Sequence, residues 1–217
     1  MISDLDKLRF EERMGKGTDE HIKSFCDSKF ISSNHVHGLI DLAEDIQLEN
    51  KTVVEIGSYL GVSTEVFAQF NPKKIYAVDM WGMNPVYVDC NYHLEHAQMS
   101  WRDVEQVFDR RIEKYPFIEK IKNFASAFCA EVSDGDIDVV YIDGEHTPSG
   151  VDQDIRQWLP KVKSGGYICG HDYYDRQAYN EDEYMFELQF PVKKCVQYYF
   201  GDNIKRYSDS SWSHKKA

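Results

Sequence analysis

Residues 53–64 read VVEIGSYLGVST, and the order of residue types within them decides the fold. Lys51 to Gly57 reads as a short strand of buried type, Gly57 permits a sharp backbone turn, and Val62, Val66, Phe67 and Phe70 then recur at helical spacing. Strand, glycine turn and helix in that order make the first unit of a sheet whose ligands bind where the strands end. Asn71-Pro72 stops the helix, and Lys74 to Asp79 reads as a second strand. It ends in a carboxylate 22 residues after Gly57, about where an acidic residue meets a ribose diol in dinucleotide-type folds.

The alternation continues outward from this unit. Ile118 to Asn123, Ile137 to Asp143 and Tyr167 to Gly170 are expected strands, with short ones near Ile204 to Tyr207 and Ser211 to His214. Between them lie helical faces: Val36, Leu39, Ile40, Ala43 and Ile46 behind the N-cap candidates Ser33 and Asn34; Trp101, Val104, Val107, Phe108 and Ile112; and a short helix from about Ser126. Val151, Ile155, Trp158 and Leu159 form another, ended by Pro160, and Val192, Cys195, Val196, Tyr199 and Phe200 the last. Repeated β–α units predict an α/β fold: a single Rossmann-like, doubly wound, mostly parallel seven-stranded sheet with helices on both faces. Residues 1–50 are expected to form an N-terminal helical cap on a main domain of residues 51–217, within one structural domain. The cap would either cover the site or pair protomers in a homo-oligomer. Residues 81–98 and 173–190 exceed plain connections and follow strand ends, where long loops cover sites.

Composition narrows the partners. The 217 residues carry 37 acidic against 25 basic side chains, a formal net charge of −12 that repels nucleic acid and anionic membranes. Cys26, Cys90, Cys129, Cys169 and Cys195 are scattered without CxxC spacing, which argues against a zinc or disulfide framework. The N-terminal MISDLDKLRFEERMGKG lacks the apolar core of a signal peptide, and no apolar run approaches the ~20 residues that span a bilayer. A cytoplasmic protein is the expectation.

The glycine loop discriminates between ligands. A pyrophosphate wants G-x-G-x-x-G, but Tyr59 and Val62 stand at the second and third glycine positions. Gly61 remains, placed to let the helix N-terminus approach a ligand. Glu55 beside the loop would repel a pyrophosphate and suits a ligand with an ammonium group and a ribose, such as S-adenosyl-L-methionine. A dehydrogenase is disfavoured.

Two further stretches carry chemistry. VVYIDGEH (139–146) ends a strand in Asp143 with His146 three residues on, and GGYICGHDY (165–173) ends the next in Asp172. Methyl transfer to an unactivated hydroxyl needs an acceptor stripped of its proton, and a divalent cation beside a base meets that need. Two strand-end carboxylates are hard oxygen donors of the kind Mg²⁺ takes. Taken singly, Asp143 could simply end a strand and His146 could be a loop histidine. His171 reads as a residue orienting the backbone before Asp172. His35 and His37 would splay about 200° apart on a helix, which argues against a shared metal.

Together E-I-G-S-x-x-G-x-S-T, V-D-x-W, I-D-G-x-H and G-G-x-x-x-G-H-D-Y resemble class I S-adenosylmethionine-dependent methyltransferases, over roughly residues 53–173. The nearest group is the macrocin- and mycinamicin-type sugar O-methyltransferases. The resemblance implies that Glu55, Gly57, Ser58 and Gly61 line the methionine part of the donor, with Asp143 beside them. Asp79 would bind the ribose, Met80 or Trp81 would flank the adenine, and Ser126 would lie at the adenine edge, a place compatible with its serving as a helix N-cap at the same time. It further implies Mg²⁺ on Asp143 and Asp172 and His146 as general base, the acceptor being a small, polar, hydroxylated molecule such as a sugar. The competing readings are a metal-independent N- or carboxyl-methyltransferase and a non-catalytic nucleotide-binding module.

Overall fold

The computed structural model describes residues 33–83, 100–174 and 191–217. Residues 1–32 and 84–99 lie outside it, with Cys26, Cys90, His93 and His96, as does the acidic, tyrosine-containing stretch 175–190.

In chain order the elements are α1 (Ser33–Asp45), β1 (Thr52–Ile56), α2 (Val62–Ala68), β2 (Lys74–Asp79), α3 (Trp101–Ile112), β3 (Ile118–Lys122) and α4 (Ala125–Cys129). There follow β4 (Ile137–Ile142), α5 (Pro148–Trp158), a 3₁₀ turn (Leu159–Lys161), β5 (Val162–Gly170), α6 (Val192–Phe200), β6 (Lys205–Arg206) and β7 (Trp212–Lys215). The strands form one seven-stranded sheet in the order β3-β2-β1-β4-β5-β7-β6, as the β–α alternation predicts. The first five run parallel, and β7 is antiparallel to β5.

Side chains alternate across the sheet, so each strand feeds two cores. Val53, Ile75, Ala77, Val139 and Tyr141 face α1, α2 and α3. Val54, Ile56, Val140, Ile142 and Ile168 face α4, α5 and α6, with Trp158 fully buried among them. The described part of the expected cap belongs to the first layer: Leu39, Leu42 and Ala43 of α1 are fully buried against the sheet. Ser33 and Asn34 fall within α1 rather than before it.

The glycine loop is fastened from the opposite side. Arg111 of α3 donates Nε–H to the Leu60 carbonyl (3.0 Å) and pairs through Nη1 with the buried Glu65 of α2 (2.9 Å), which Lys114 also reaches at 3.0 Å. β5 begins earlier than the sequence suggests. Gly165, at φ 77°, and Gly166 lie inside the strand, where the register with β4 shifts between Ile137 and Val139. A Cβ on Gly166 would lie 2.6 Å from the Asp138 carbonyl oxygen, so the pair allows close strand approach rather than a lead-in turn. Among the described residues no helix is long and apolar enough to cross a membrane.

Candidate functional site

Register delivers the site. Ile56 of β1 lies opposite Val78 of β2 and Ile142 of β4, and Ile142 lies opposite Gly170 of β5. The residues just past these positions, Gly57, Asp79, Asp143 and His171-Asp172, therefore emerge side by side along one edge of the sheet. Backbone hydrogen bonds tie them together: Gly57 N–H to Val78 O (2.9 Å), Asp143 N–H to Ile56 O (2.8 Å) and His171 N–H to Ile142 O (3.1 Å).

Gly57 has φ 84°, a conformation that costs a residue with a Cβ about 1–2 kcal/mol. Gly61, at φ 79°, caps α2 without a side-chain bond, and a Cβ there would press on Phe108 at 2.8 Å. Its bareness thus serves packing against α3 as well as the turn. Tyr59 lies between them at φ 44°, and its N–H donates to Asp79 Oδ2 (2.9 Å). The Trp81 N–H donates to Oδ1 of the same carboxylate (2.8 Å). Burial raises the pKa of Asp79, against the pull of the backbone N–H groups of Trp81, Tyr59 and Met80. Asp79 thus clamps the loop to the end of β2.

Glu55 sits beneath this loop with 0% exposure. Its carboxylate accepts hydrogen bonds from Ser58 Oγ (2.8 Å), Ser63 Oγ (2.5 Å) and Thr64 Oγ1. The Ser58 side chain likewise points inward. Both side chains are engaged with the loop itself, through the Glu55 carboxylate. Burial pushes the Glu55 pKa up to about 7, the three hydroxyl bonds opposing it and the charge of Asp143 adding to it. Between its ordinary 4.5 and about 7 the folded chain keeps a proton that the unfolded chain has lost. Stability from this group therefore falls as pH rises through that window and is level above it. Glu55→Gln should remove the effect, so that its Tm, relative to the unaltered protein, climbs between pH 5 and pH 7.5. Thermal melts across that range check this, and a constant difference would contradict it.

On the adenine side, Trp81 is more enclosed than a pocket wall was expected to be: it is 2% exposed, its indole N–H bonds the Tyr59 carbonyl (2.9 Å), and its ring packs on Phe108 at 4.6 Å. Burial of so large an apolar surface under the sheet end outweighs its exposure beside a pocket. Met80 is half-buried at the strand end. Ser126 lies inside α4, whose N-cap is Phe124, so it is no cap; it remains half-buried near the edge of β3.

The chemistry-bearing residues meet at the ends of β4 and β5. Asp143 is followed by Gly144, and His146 directly precedes Thr147, whose side chain accepts from the Gly150 N–H and caps α5. The imidazole is thereby placed between a strand end and a helix start. His146 Nε2 lies 2.7 Å from Asp172 Oδ2 and 3.5 Å from Asp143 Oδ1, and one ligand atom from each of the three lies within 4.8 Å of the others. Burial would lower the His146 pKa, but the two carboxylates outweigh it and raise it to about 10. Burial also opposes ionisation of Asp172, yet the bonds from His146 and His171 hold it well below the usual carboxylate range. Asp172 adopts φ 61°, a left-handed conformation that short polar residues tolerate and that concentrates at functional sites. Ser63 and Thr64 were not singled out from the sequence, although both lie in the loop motif, and Tyr59 was noted only as the residue in place of a second glycine. Ser210, which touches His171, carries no sequence signal.

A Rossmann-like sheet with a glycine turn, strand-end carboxylates and a histidine gathered along one edge is the architecture of a class I methyltransferase. Residues 54–173 match the family described as methyltransferase domain, and the chain belongs to that family. It is an S-adenosylmethionine-dependent methyltransferase. An uncharacterized protein of Acanthamoeba polyphaga mimivirus is 25% identical over 165 residues, 72% of this chain and 71% of the viral one. The O-methyltransferase TomG of Streptomyces achromogenes, involved in tomaymycin synthesis and solved with S-adenosylmethionine, shares the fold with a TM-score of 0.60 and 11% identity. That match covers 100% of this chain and 92% of TomG. Phosphoethanolamine N-methyltransferase 1 of Haemonchus contortus, solved with phosphoethanolamine and S-adenosylhomocysteine, matches with a TM-score of 0.52 and 13% identity over 81% of this chain, which spans 33% of the nematode one.

Proposed function

We propose that the protein transfers the methyl group of S-adenosylmethionine to a hydroxyl of a small, polar acceptor such as a sugar or glycosylated metabolite, with Mg²⁺ held by Asp143 and Asp172. The observation that carries this reading is the convergence of Asp143, His146 and Asp172 within 4.8 Å at two adjacent strand ends. Two hard carboxylate oxygens at one edge of a ligand pocket fit a small divalent cation that keeps several waters. When bound, Mg²⁺ would orient the acceptor hydroxyl and lower its pKa.

The chain's own residues supply the rest. Gly57 and Gly61 shape the turn that receives the methionine part, and Glu55 and Ser58 hold that turn from beneath. Asp79 accepts from the ribose, with Met80 and Ser126 toward the adenine. The two carboxylates hold a proton on His146 Nε2; with both committed to Mg²⁺, Nε2 would be freed to take the acceptor proton as the new O–C bond forms and the C–S bond of the sulfonium breaks, leaving S-adenosylhomocysteine and a methyl ether. The residues of 84–99 and 175–190 are rich in Tyr, Asp, Glu and Asn, a composition that suits a polar acceptor.

Calorimetry with S-adenosylmethionine, with and without Mg²⁺, tests the reading, followed by S-adenosylhomocysteine release on a panel of hydroxylated acceptors with and without EDTA. Saturable donor binding and EDTA-sensitive release are expected. Absence of donor binding, or release that EDTA leaves untouched, would overturn it.

A further inference from the structure

We propose that His171 is a positioning residue that fixes Asp172, and that the turn between β6 and β7 anchors it. The β6–β7 hairpin, remote in sequence from every motif of the site, thereby becomes part of the cation-binding apparatus. This rests on the reading of Asp172 as a cation ligand.

The His171 side chain is 5% exposed, and both of its ring nitrogens are engaged within the protein. Nδ1 lies 2.9 Å from Asp172 Oδ1 and Nε2 lies 3.3 Å from Ser210 Oγ. Oδ1 is thus tied to His171, while Oδ2 faces His146 and the open site. A ring whose nitrogens are both occupied is not itself a ligand; it orients one, as partners of metal-binding carboxylates do. The backbone repeats the link, because the Tyr173 N–H donates to the Ser210 carbonyl at 2.9 Å. Asp172 at φ 61° is therefore bracketed on both sides, by the β4 contact of His171 and by the turn contact of Tyr173. An L residue keeps so sparsely populated a conformation only where its surroundings over-determine it.

The anchor is itself secured. The buried Asp209 accepts from the Ser211 N–H (2.8 Å) and from Ser211 Oγ (3.0 Å). Its carboxyl group packs so closely on α1 that a Cβ on Gly38 would lie 2.0 Å from Asp209 Cγ. Ser210, at φ 74°, is held between this buried corner and His171. A chain of contacts thus runs from α1 through Asp209 and Ser210 to His171 and Asp172.

The test is Mn²⁺ binding to the full chain, followed by electron paramagnetic resonance, beside S-adenosylmethionine binding by calorimetry and Tm. His171→Leu is expected to weaken Mn²⁺ binding by at least about tenfold with donor affinity unchanged, in keeping with the loss of a partner that orients a metal ligand. His171→Asn, which can return a donor to Asp172, should recover most of that loss. Ser210→Ala, which leaves the histidine in place, should weaken Mn²⁺ binding to a smaller degree at unaltered Tm, and keeps the proposal open to refutation if the leucine variant does not fold. Unchanged Mn²⁺ affinity in His171→Leu, or in Ser210→Ala where the leucine variant fails to fold, overturns the proposal. So does an equal loss of Mn²⁺ binding, donor binding and Tm in both His171 variants, which would mark a merely structural role. Asp172→Asn separates the two levels: if it binds Mn²⁺ as tightly as the unaltered chain, the cation reading itself fails, and this inference with it.

Discussion

His146→Ala is expected to lower kcat by about 10² to 10⁴-fold, the range supplied by one positioned general base, while leaving the affinity for S-adenosylmethionine unchanged. The split follows from position. The imidazole lies at the ends of β4 and β5, between Asp143 Oδ1 and Asp172 Oδ2, whereas the glycine turn and Asp79 lie at the ends of β1 and β2. His146 is 43% exposed and outside both buried clusters, so its removal opens no core cavity. Tm should nevertheless fall at neutral pH, because the ion pairs that raise the imidazole pKa are lost and Asp143 and Asp172 are left facing each other. Steady-state kinetics on an accepted hydroxylated substrate, with donor calorimetry on the same preparation, gives the answer. A variant that turns over at the original rate would remove His146 from the proton transfer. One that loses donor binding as well would place it on the donor side.

Gly57→Ala should be the most damaging small substitution in the described chain. At φ 84° the added methyl group meets the left-handed penalty, and it would also lie 2.0 Å from the Asp143 carbonyl oxygen and 2.7 Å from Gly144 Cα. Both atoms are backbone, and the neighbouring Asp143 N–H is bonded to the Ile56 carbonyl, so nothing can rotate aside. Relief requires the end of β1 to move away from the end of β4. A loss of at least about 3 kcal/mol is expected, combining the backbone term with overpacking. Donor affinity should fall with it. Gly135→Ala supplies the control: φ is 73°, but an added Cβ would meet nothing within 4 Å, so only the backbone term of about 1–2 kcal/mol applies. Denaturant unfolding of the two variants isolates the clash. Equal losses would show that Gly57 is needed for its dihedral angle alone.

Much of this architecture is legible in one dimension because its signals are local. The strand-forming Val53, Val54 and Ile56, the turn glycine and the helical face of Val66 and Phe67 lie within a dozen or so residues of one another. The β–α order then leaves few ways to build a sheet. Asp143, His146 and Asp172 are legible for a related reason: parallel strands present their carboxyl ends on one edge, so residues that end adjacent strands become neighbours. The structure adds most where side-chain direction decides. Trp81 follows a strand-end Asp and reads as a pocket wall, but its ring turns back under the sheet onto Phe108. Glu55 and Ser58 sit beside the loop in sequence and beneath it in space, where burial against Ser63 and Thr64 is satisfied internally. Gly165 and Gly166 precede the strand expected from Tyr167 but lie inside it and ease an irregularity, since the carbonyl of Asp138 across the sheet cannot be seen from their own neighbours.

By itself the sequence determined the seven strands, the alternating helices, the glycine turn and the three residues at the ends of β4 and β5, because periodicity and strand order are properties of neighbours along the chain. Only the tertiary structure decided which of the loop residues face inward, that α1 is a layer of the core, and that Ser210 and His171 stand behind Asp172. Those contacts join residues as far apart as Gly38 and Asp209, whose meeting depends on how whole elements pack rather than on any local pattern.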